Sequence, residues 1–136
     1  MKKNFFIAIF FIFLFIQNSF AYSNDPKKFI AEIVEEAKKI LIETNTKEYK
    51  TAKLSEIALE TVDIRGVAFY SLGKYRKNIS DENLKEYLRL FEKYFLKSFT
   101  SRLTDYSDPK IDVLSTDVIN EKYTIVKSVL LATDKK

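Results

Sequence analysis

The spacing of apolar residues along the chain changes from a helical repeat to an alternating one at Asp108-Pro109. Before this dipeptide, apolar side chains recur every three or four residues, as in a helix with one buried face. After it, β-branched residues dominate, which favours extended strands. The dipeptide itself is a breaker of regular structure. The pattern therefore predicts an α+β chain whose helices come first and whose strands come last.

Four helices are predicted before that change. Asp25 and Pro26 form a cap followed by proline at the first helical position, where its missing N–H would have no partner anyway. Asp63 and Ser80 are the predicted caps of the third and fourth helices, and Gly73 should end the third in a left-handed conformation. The first helix should fade near Thr44-Asn45, and the others should cover residues 47–60, 64–72 and 81 to about 103.

Each predicted helix has an apolar face that should turn inward. In the first two helices these faces contain Phe29, Ile30, Ile33, Val34, Ala37, Ile40 and Leu41, then Tyr49, Leu54, Ile57 and Ala58. The fourth helix has the longest stripe, formed by Leu84, Leu88, Phe91, Phe95, Phe99 and Leu103. Such a stripe fits either the protein core or the lining of a lipid cavity, and core packing is its commoner role.

The end of the chain is predicted to form two antiparallel strands. Ile111, Val113 and Ser115 alternate with other residues, residues 123–133 are rich in β-branched side chains, and Asn120-Glu121 should join the two strands. Because an isolated hairpin is marginal in water, it must lie across the helices, and one of its edges stays unpaired. Both faces of residues 123–132 are apolar, so the chain has more apolar surface than two strands can cover. A ligand, a partner chain or further sequence should cover the rest.

The first 21 residues are predicted to be a secretory signal. Lys2 and Lys3 precede an unbroken apolar run at residues 5–16, and Ser19-Phe20-Ala21 fits the cleavage site, so we predict cleavage after about Ala21 and a single domain at 22–136. As a helix, the run would span about 18 Å of the ~30 Å hydrocarbon layer, and an uncleaved anchor is the alternative. With 21 basic and 19 acidic residues, residues 22–136 carry only +2, too little to predict nucleic-acid binding.

The composition excludes most catalytic chemistry. The chain has no His, no Cys and only two Gly, which rules out catalytic triads, thiol nucleophiles, zinc ribbons and phosphate-binding glycine loops. Carboxylates are grouped on the first helix and again near residues 105–108, where a solvated face and a helix-end turn explain them better than a hydrolytic or metal site. We therefore predict no catalytic residue, no metal and no cofactor.

A basic group directly follows the predicted third helix. Lys74, Arg76 and Lys77 surround Tyr75. These cations fit contact with a phosphate headgroup or an anionic membrane surface. They also fit the negative end of the preceding helix dipole, and the sequence leaves both roles open.

The order of these features resembles the MlaC family of periplasmic phospholipid carriers, also called toluene-tolerance proteins. The resemblance rests on Ser71-Leu72-Gly73-Lys74-Tyr75, a polar link into the helix capped by Ser80, its Phe91 and Phe95 face, and the end at Tyr106. The upstream Asp25-Pro26 helix also fits, so the likeness covers residues from about 25 to 132. Family members serve an ABC-type pathway that maintains outer-membrane lipid asymmetry.

The resemblance implies an NTF2-like or cystatin-like fold, in which helices pack on a curved antiparallel sheet and enclose acyl chains. By position, the lipid-binding candidates are Leu72, Tyr75, Leu88, Phe91, Phe95 and Phe99. Lys74, Arg76 and Lys77 would contact the headgroup or a partner. The implied partners are phospholipid, an outer-membrane MlaA–porin complex and an inner-membrane ABC transporter bearing an MCE ring.

The family continues past the strand that ends near Ala132, with further strands and a C-terminal helix. We therefore expect either a piece of a longer carrier or a short variant whose missing wall a partner supplies. Two other functions remain open: a periplasmic adaptor module with no ligand of its own, and a small NTF2-like enzyme. The enzyme ranks last, because the helical stripes contain no inward-facing ionisable residue.

Overall fold

The computed structural model describes residues 21–131. In chain order, their elements are α1 (Pro26–Ile42), α2 (Lys47–Thr61), α3 (Ile64–Leu72), a 3-10 helix (Gly73–Lys77), α4 (Asp81–Leu103), β1 (Lys110–Asn120) and β2 (Tyr123–Leu131). Within this range four α-helices pack with a two-stranded antiparallel sheet, which confirms the predicted α+β class. The predicted secretory signal, apart from Ala21, lies outside the described residues, as do positions 132 and 133 of the predicted second strand.

Side-chain caps fix where the helices begin. The predicted caps Asp25, Asp63 and Ser80 are confirmed, since each side chain accepts a hydrogen bond from the backbone N–H three residues later. Helix α2 has a cap that the sequence analysis did not identify: Thr46 Oγ1 accepts a hydrogen bond from the N–H of Tyr49 at 3.2 Å. The predicted caps Asp25, Asp63 and Ser80 therefore locate the starts of α1, α3 and α4 to the residue.

Gly73 ends α3 with the positive φ that was predicted, but in a different conformation. Its φ of 54° comes with a ψ of −126°, far from the ψ of about +47° of a left-handed helix. Side chains with a Cβ rarely adopt this combination, so glycine is required here. The chain turns directly from α3 into the 3-10 helix.

The best-buried apolar cluster lies where α1 meets α2. Ile40, Leu41, Leu54 and Ile57 are buried together, and Ile33, Ala37 and Leu103 pack against them. We call the four buried residues the closed junction. Three helices, α1, α2 and the end of α4, contribute to its packing, so these side chains are covered from several directions.

The face of α2 that packs inward differs by one residue from the prediction. Tyr49, expected inside, is 44% exposed, whereas the neighbouring Lys50 is only 8% exposed. The Lys50 ammonium donates a hydrogen bond of 2.5 Å to the carbonyl oxygen of Leu41, in the last turn of α1. Carbonyls at a helix C-terminus lack intrahelical partners, so a lysine satisfies one here while its stem packs inside.

The hairpin packs on α1, and its register contains two irregularities. The pairing shifts between Val113 and Ser115 and again between Val118 and Asn120. The turn is held by Asn120, whose side-chain oxygen accepts hydrogen bonds from the N–H groups of Lys122 and Tyr123. On the helix side, Lys27 Nζ donates to the carbonyl oxygen of Leu114 at 2.8 Å. The hairpin therefore lies across α1, as predicted, and α1 separates it from most of the helical core.

Candidate functional site

Helix α4 carries two apolar faces with different surroundings. One face packs inward: Thr100 is 2% exposed and Leu103 packs against the closed junction. The other face holds Phe91, Phe95 and Phe99, which are only half-buried. The predicted stripe is therefore present, but its aromatic part is not in the core.

The aromatic rings along this side of α4 form two separate pairs. The rings of Phe95 and Phe99 are stacked, with centroids 5.9 Å apart and planes within 9° of parallel. Towards the helix start, Tyr87 and Phe91 have centroids 5.8 Å apart in a tilted arrangement. Tyr87 also donates a hydrogen bond to the carbonyl oxygen of Ala68, which ties this end of the face to α3. The two pairs together form an apolar strip along α4.

A shallow cavity of about 190 Å³ runs along this strip. We call it the aromatic groove, and its lining residues are Phe91, Tyr94, Phe95, Ser98, Phe99 and Arg102. All six belong to α4, so no second element lines the groove. Pockets that enclose a small ligand usually measure ~300–1,000 Å³. The groove is thus open and smaller than a closed pocket for such a ligand.

The six predicted lipid-binding residues are divided between two places. Phe91, Phe95 and Phe99 share the aromatic groove. Leu88 instead lines a cavity of about 290 Å³ between α3 and α4. Leu72 is half-buried at the end of α3, and Tyr75 is 68% exposed in the 3-10 helix. The structure therefore brings three of the six together and leaves the other three on the α3 side.

The cleft beside the sheet lies elsewhere. It measures about 450 Å³ and is lined by α1 and β1, through Ala31, Val34, Glu35, Ile111, Asp112, Val113 and Leu114. None of the six predicted lipid-binding residues is among them. Within residues 21–131, the space between sheet and helices and the aromatic groove are thus separate features.

The predicted basic residues are all exposed on the 3-10 helix. Lys74, Arg76 and Lys77 form no ion pair with any carboxylate of the part of the chain that the structure describes. The Lys74 ammonium lies 5.5 Å from the centroid of the Tyr75 ring, within the range of a cation–π contact. Tyr70, one turn earlier, is 85% exposed. Cations and tyrosines thus share one solvent-facing region.

The carboxylates of α1 hold the segment that precedes this helix. Tyr22 Oη donates a hydrogen bond to Glu36 Oε2 at 2.5 Å, and the N–H of Ser23 donates to Glu32 Oε2 at 2.8 Å. Burial, followed by the hydrogen bond to Glu36, raises the pKa of Tyr22 well above its usual value. This pairing was not predicted, since no pattern in the sequence joins these residues. Among residues 21–131 no group of three or more metal-ligating side chains is found.

The family model for MlaC protein matches residues 27–136. The chain belongs to the MlaC family. This match confirms the resemblance seen in the sequence and implies a periplasmic phospholipid-binding component of lipid transport. No curated protein and no solved structure gives a match.

In this MlaC-family chain the hairpin also exposes apolar side chains. Ile125, Val129 and Leu131 alternate along β2 and so lie on one face, and all three are substantially exposed. Their cross-strand neighbours are Asp117, Asp112 and Lys110. Exposed apolar side chains are therefore present on the hairpin, whose apolar faces the sequence predicted to exceed what two strands can cover.

Across residues 21–131 no helix is long and apolar enough to span a bilayer.

Proposed function

We propose that this protein is a periplasmic carrier component of an ABC-type system that maintains outer-membrane lipid asymmetry, and that it binds the acyl chains of phospholipid. Family membership supports lipid binding and transport. The observation that carries the proposal is the aromatic groove, in which Phe91, Phe95 and Phe99 share one apolar wall that α4 alone lines. Covering the part of these half-buried rings that is open to solvent favours an apolar partner.

The groove favours binding by burial rather than catalysis. Its ionisable side chains are Tyr94 and Arg102, and no carboxylate that could act as a general base lines it. Burial contributes about 0.8 kcal/mol for each CH₂, so two sixteen-carbon chains need apolar contact worth on the order of 20 kcal/mol. One helix face supplies only part of this contact. A second wall, from further sequence of the chain, a partner or a second copy, completes the site in this proposal.

The remaining assignments extend the same proposal. Leu72, Tyr75 and Leu88 flank the groove-bound acyl chains on the α3 side, and Lys74, Arg76 and Lys77 contact phospholipid headgroups or a partner. The partners are an outer-membrane MlaA–porin-type complex and an inner-membrane ABC transporter with an MCE ring. Cleavage after about Ala21 releases the domain at residues 22–136 into the periplasm.

Mass spectrometry of the organic-soluble material that accompanies the protein tests this proposal. Protein purified from periplasmic extracts should contain phospholipid, and Phe91→Asp plus Phe95→Asp should remove it because two charges enter the apolar wall. Leu90→Asp plus Leu59→Asp is the matched control, since both leucines are about half exposed outside the groove. Wild-type protein without lipid, or equal lipid loss in both variants, would refute the proposal.

An adaptor function is the second candidate. The shallowness of the aromatic groove favours it, because a helix face of this shape also fits a partner helix. An adaptor would be recovered free of lipid but attached to another protein. The same purification therefore separates the two functions.

A further inference from the structure

The positive charge of this protein is concentrated in a segment that contains no acidic residue. Residues 64–80 include Arg65, Lys74, Arg76 and Lys77 but no Asp or Glu. Their charge of +4 contrasts with +2 for residues 22–136 as a whole, so the rest of the domain is slightly negative. Such a concentration gives the surface around α3 and the 3-10 helix a local positive potential.

The fold turns this segment outward. Ile64 and Ala68 are buried, so the opposite side of α3 exposes Val67 and Tyr70. The turn at Gly73 then directs the chain into the 3-10 helix, whose residues are all exposed. We define the basic tyrosine patch by the residues of this surface: Val67, Tyr70, Lys74, Tyr75, Arg76 and Lys77.

The exposure of two tyrosines separates this patch from simple compensation of a helix dipole. A dipole accounts for cations near the end of α3, but not for tyrosines that are 85% exposed at position 70 and 68% exposed at position 75. Tyrosine is enriched at membrane–water interfaces, where its ring lies at headgroup level. Lysine and arginine near an anionic surface each contribute about 1 kcal/mol of attraction.

The geometry points to the basic tyrosine patch as a docking surface for an anionic phospholipid bilayer. The patch cations are exposed and form no ion pair with a carboxylate of the described residues, so their charge is complementary to that of an anionic bilayer. The nearby cavity between α3 and α4 could in principle hold a single phosphate group. Its lining contains none of the three patch cations, so they do not enclose a phosphate in that cavity. The inference deepens the proposed function, on which it rests for its biological setting, because a carrier must approach the membranes that it serves.

Sedimentation with vesicles tests the docking. Protein recovered after export, with its N-terminus checked by mass spectrometry, is mixed with phosphatidylglycerol or phosphatidylcholine vesicles at low and at 0.5 M salt. It should bind the anionic vesicles, and high salt should abolish binding because it screens the attraction. Lys74→Gln, Arg76→Gln and Lys77→Gln together should weaken partitioning about a hundredfold.

The matched control removes the same amount of charge elsewhere. Lys28→Gln, Lys85→Gln and Lys122→Gln together change three exposed cations that are scattered over α1, α4 and the hairpin turn. We expect this variant to bind within about threefold of the wild type, because three scattered charges contribute less to the local potential at the patch than its own adjacent cations do. Replacing both exposed tyrosines, with Tyr70→Ser and Tyr75→Ser, should weaken binding about tenfold.

Three results would overturn the docking inference: wild-type protein that does not prefer anionic vesicles, equal losses in the two triple variants, and loss of co-purified phospholipid together with vesicle binding in the patch variant. The last result would assign the cations to the headgroup of the carried lipid instead of a bilayer. Vesicle binding by a lipid-free protein would support docking while refuting the carrier proposal, so the two failures are distinguishable.

Discussion

The closed junction and the aromatic groove have similar apolar patterns in the sequence but opposite degrees of coverage. Leu54, in the junction, is 1% exposed and touches side chains from neighbouring helices. Phe95, in the groove, has a stacking partner on its own helix and lies in a cavity lined by that helix alone. The difference teaches that a helical stripe locates an apolar face, whereas the neighbouring elements decide whether the face becomes core or binding surface.

The largest effect should come from the closed junction. We expect Leu54→Ala to lower the free energy of unfolding by about 3 kcal/mol, because it removes buried methyl groups and leaves a cavity among packed neighbours. Leu90→Ala makes the same chemical change at a half-exposed position of α4 and should cost less than about 0.5 kcal/mol. Urea unfolding of the two variants measures the difference. Equal midpoints would show that the junction is not closed.

Lys50 should be the next most sensitive position. Lys50→Met keeps most of the apolar stem but removes the ammonium that bonds to the Leu41 carbonyl oxygen. We expect a loss of about 2 kcal/mol, since the substitution leaves a buried carbonyl without its partner. Lys53→Met, three residues on and at an exposed ion pair, is the control and should lose less than about 0.5 kcal/mol. A Lys50→Met variant as stable as this control would contradict the capping role.

At the aromatic groove, lipid binding should change the free energy of unfolding more than truncation of a groove side chain does. In lipid-free protein, Phe95→Ala should cost only about 1 kcal/mol, because the half-buried ring lies in a groove that α4 alone lines and alanine is the better helix former. Saturating phospholipid should stabilise the wild type by about 2.7 kcal/mol at a hundredfold excess over Kd, and this variant by less. Thermal unfolding with and without lipid measures both terms. A loss as large as that of Leu54→Ala would mean that the groove is part of the core.

The helices were readable from the sequence because their signals are local. Asp25, Asp63 and Ser80 act within three residues of themselves, so the predicted starts of α1, α3 and α4 coincide with the observed ones. That Lys50 rather than Tyr49 packs inward on α2 could not be predicted from the sequence. It depends on where the end of α1 lies in space, since the Leu41 carbonyl is the group that draws the ammonium inward.

The candidate site could be predicted only in part, because local sequence signals do not locate one element relative to another. The spacing of Phe91, Phe95 and Phe99 predicts that they share a face, and they do. It contains no information about which element lies opposite that face. Whether Leu72 and Tyr75 join them depends on the turn at Gly73, whose ψ differs from that of the expected left-handed cap. Tertiary placement therefore limited the prediction of the site more than local structure did.

The smallest predicted effect on the free energy of unfolding concerns the segment before α1, which packs on that helix through Tyr22. Tyr22 packs edge-on against Phe29, with ring centroids 5.6 Å apart, and donates its hydroxyl hydrogen to Glu36. Removing this hydroxyl with Tyr22→Phe should cost about 0.5–1 kcal/mol near pH 8, because the site is partly exposed. Tyr94→Phe, at an exposed ring, is the control and should cost almost nothing.

The pH dependence of the stabilisation by the Tyr22 hydroxyl tests whether the hydrogen bond to Glu36 causes it. The pKa of Tyr22 is raised in the folded protein, so folding favours the protonated phenol. Its contribution is therefore complete below the unfolded pKa of about 10 and is lost as the pH rises towards the folded pKa. The stability advantage of the wild type over Tyr22→Phe should shrink between pH 9 and 11, measured by urea unfolding, whereas Tyr94→Phe should follow the wild type. An advantage that stays constant across this range would show that the Tyr22–Glu36 hydrogen bond does not hold the segment on α1.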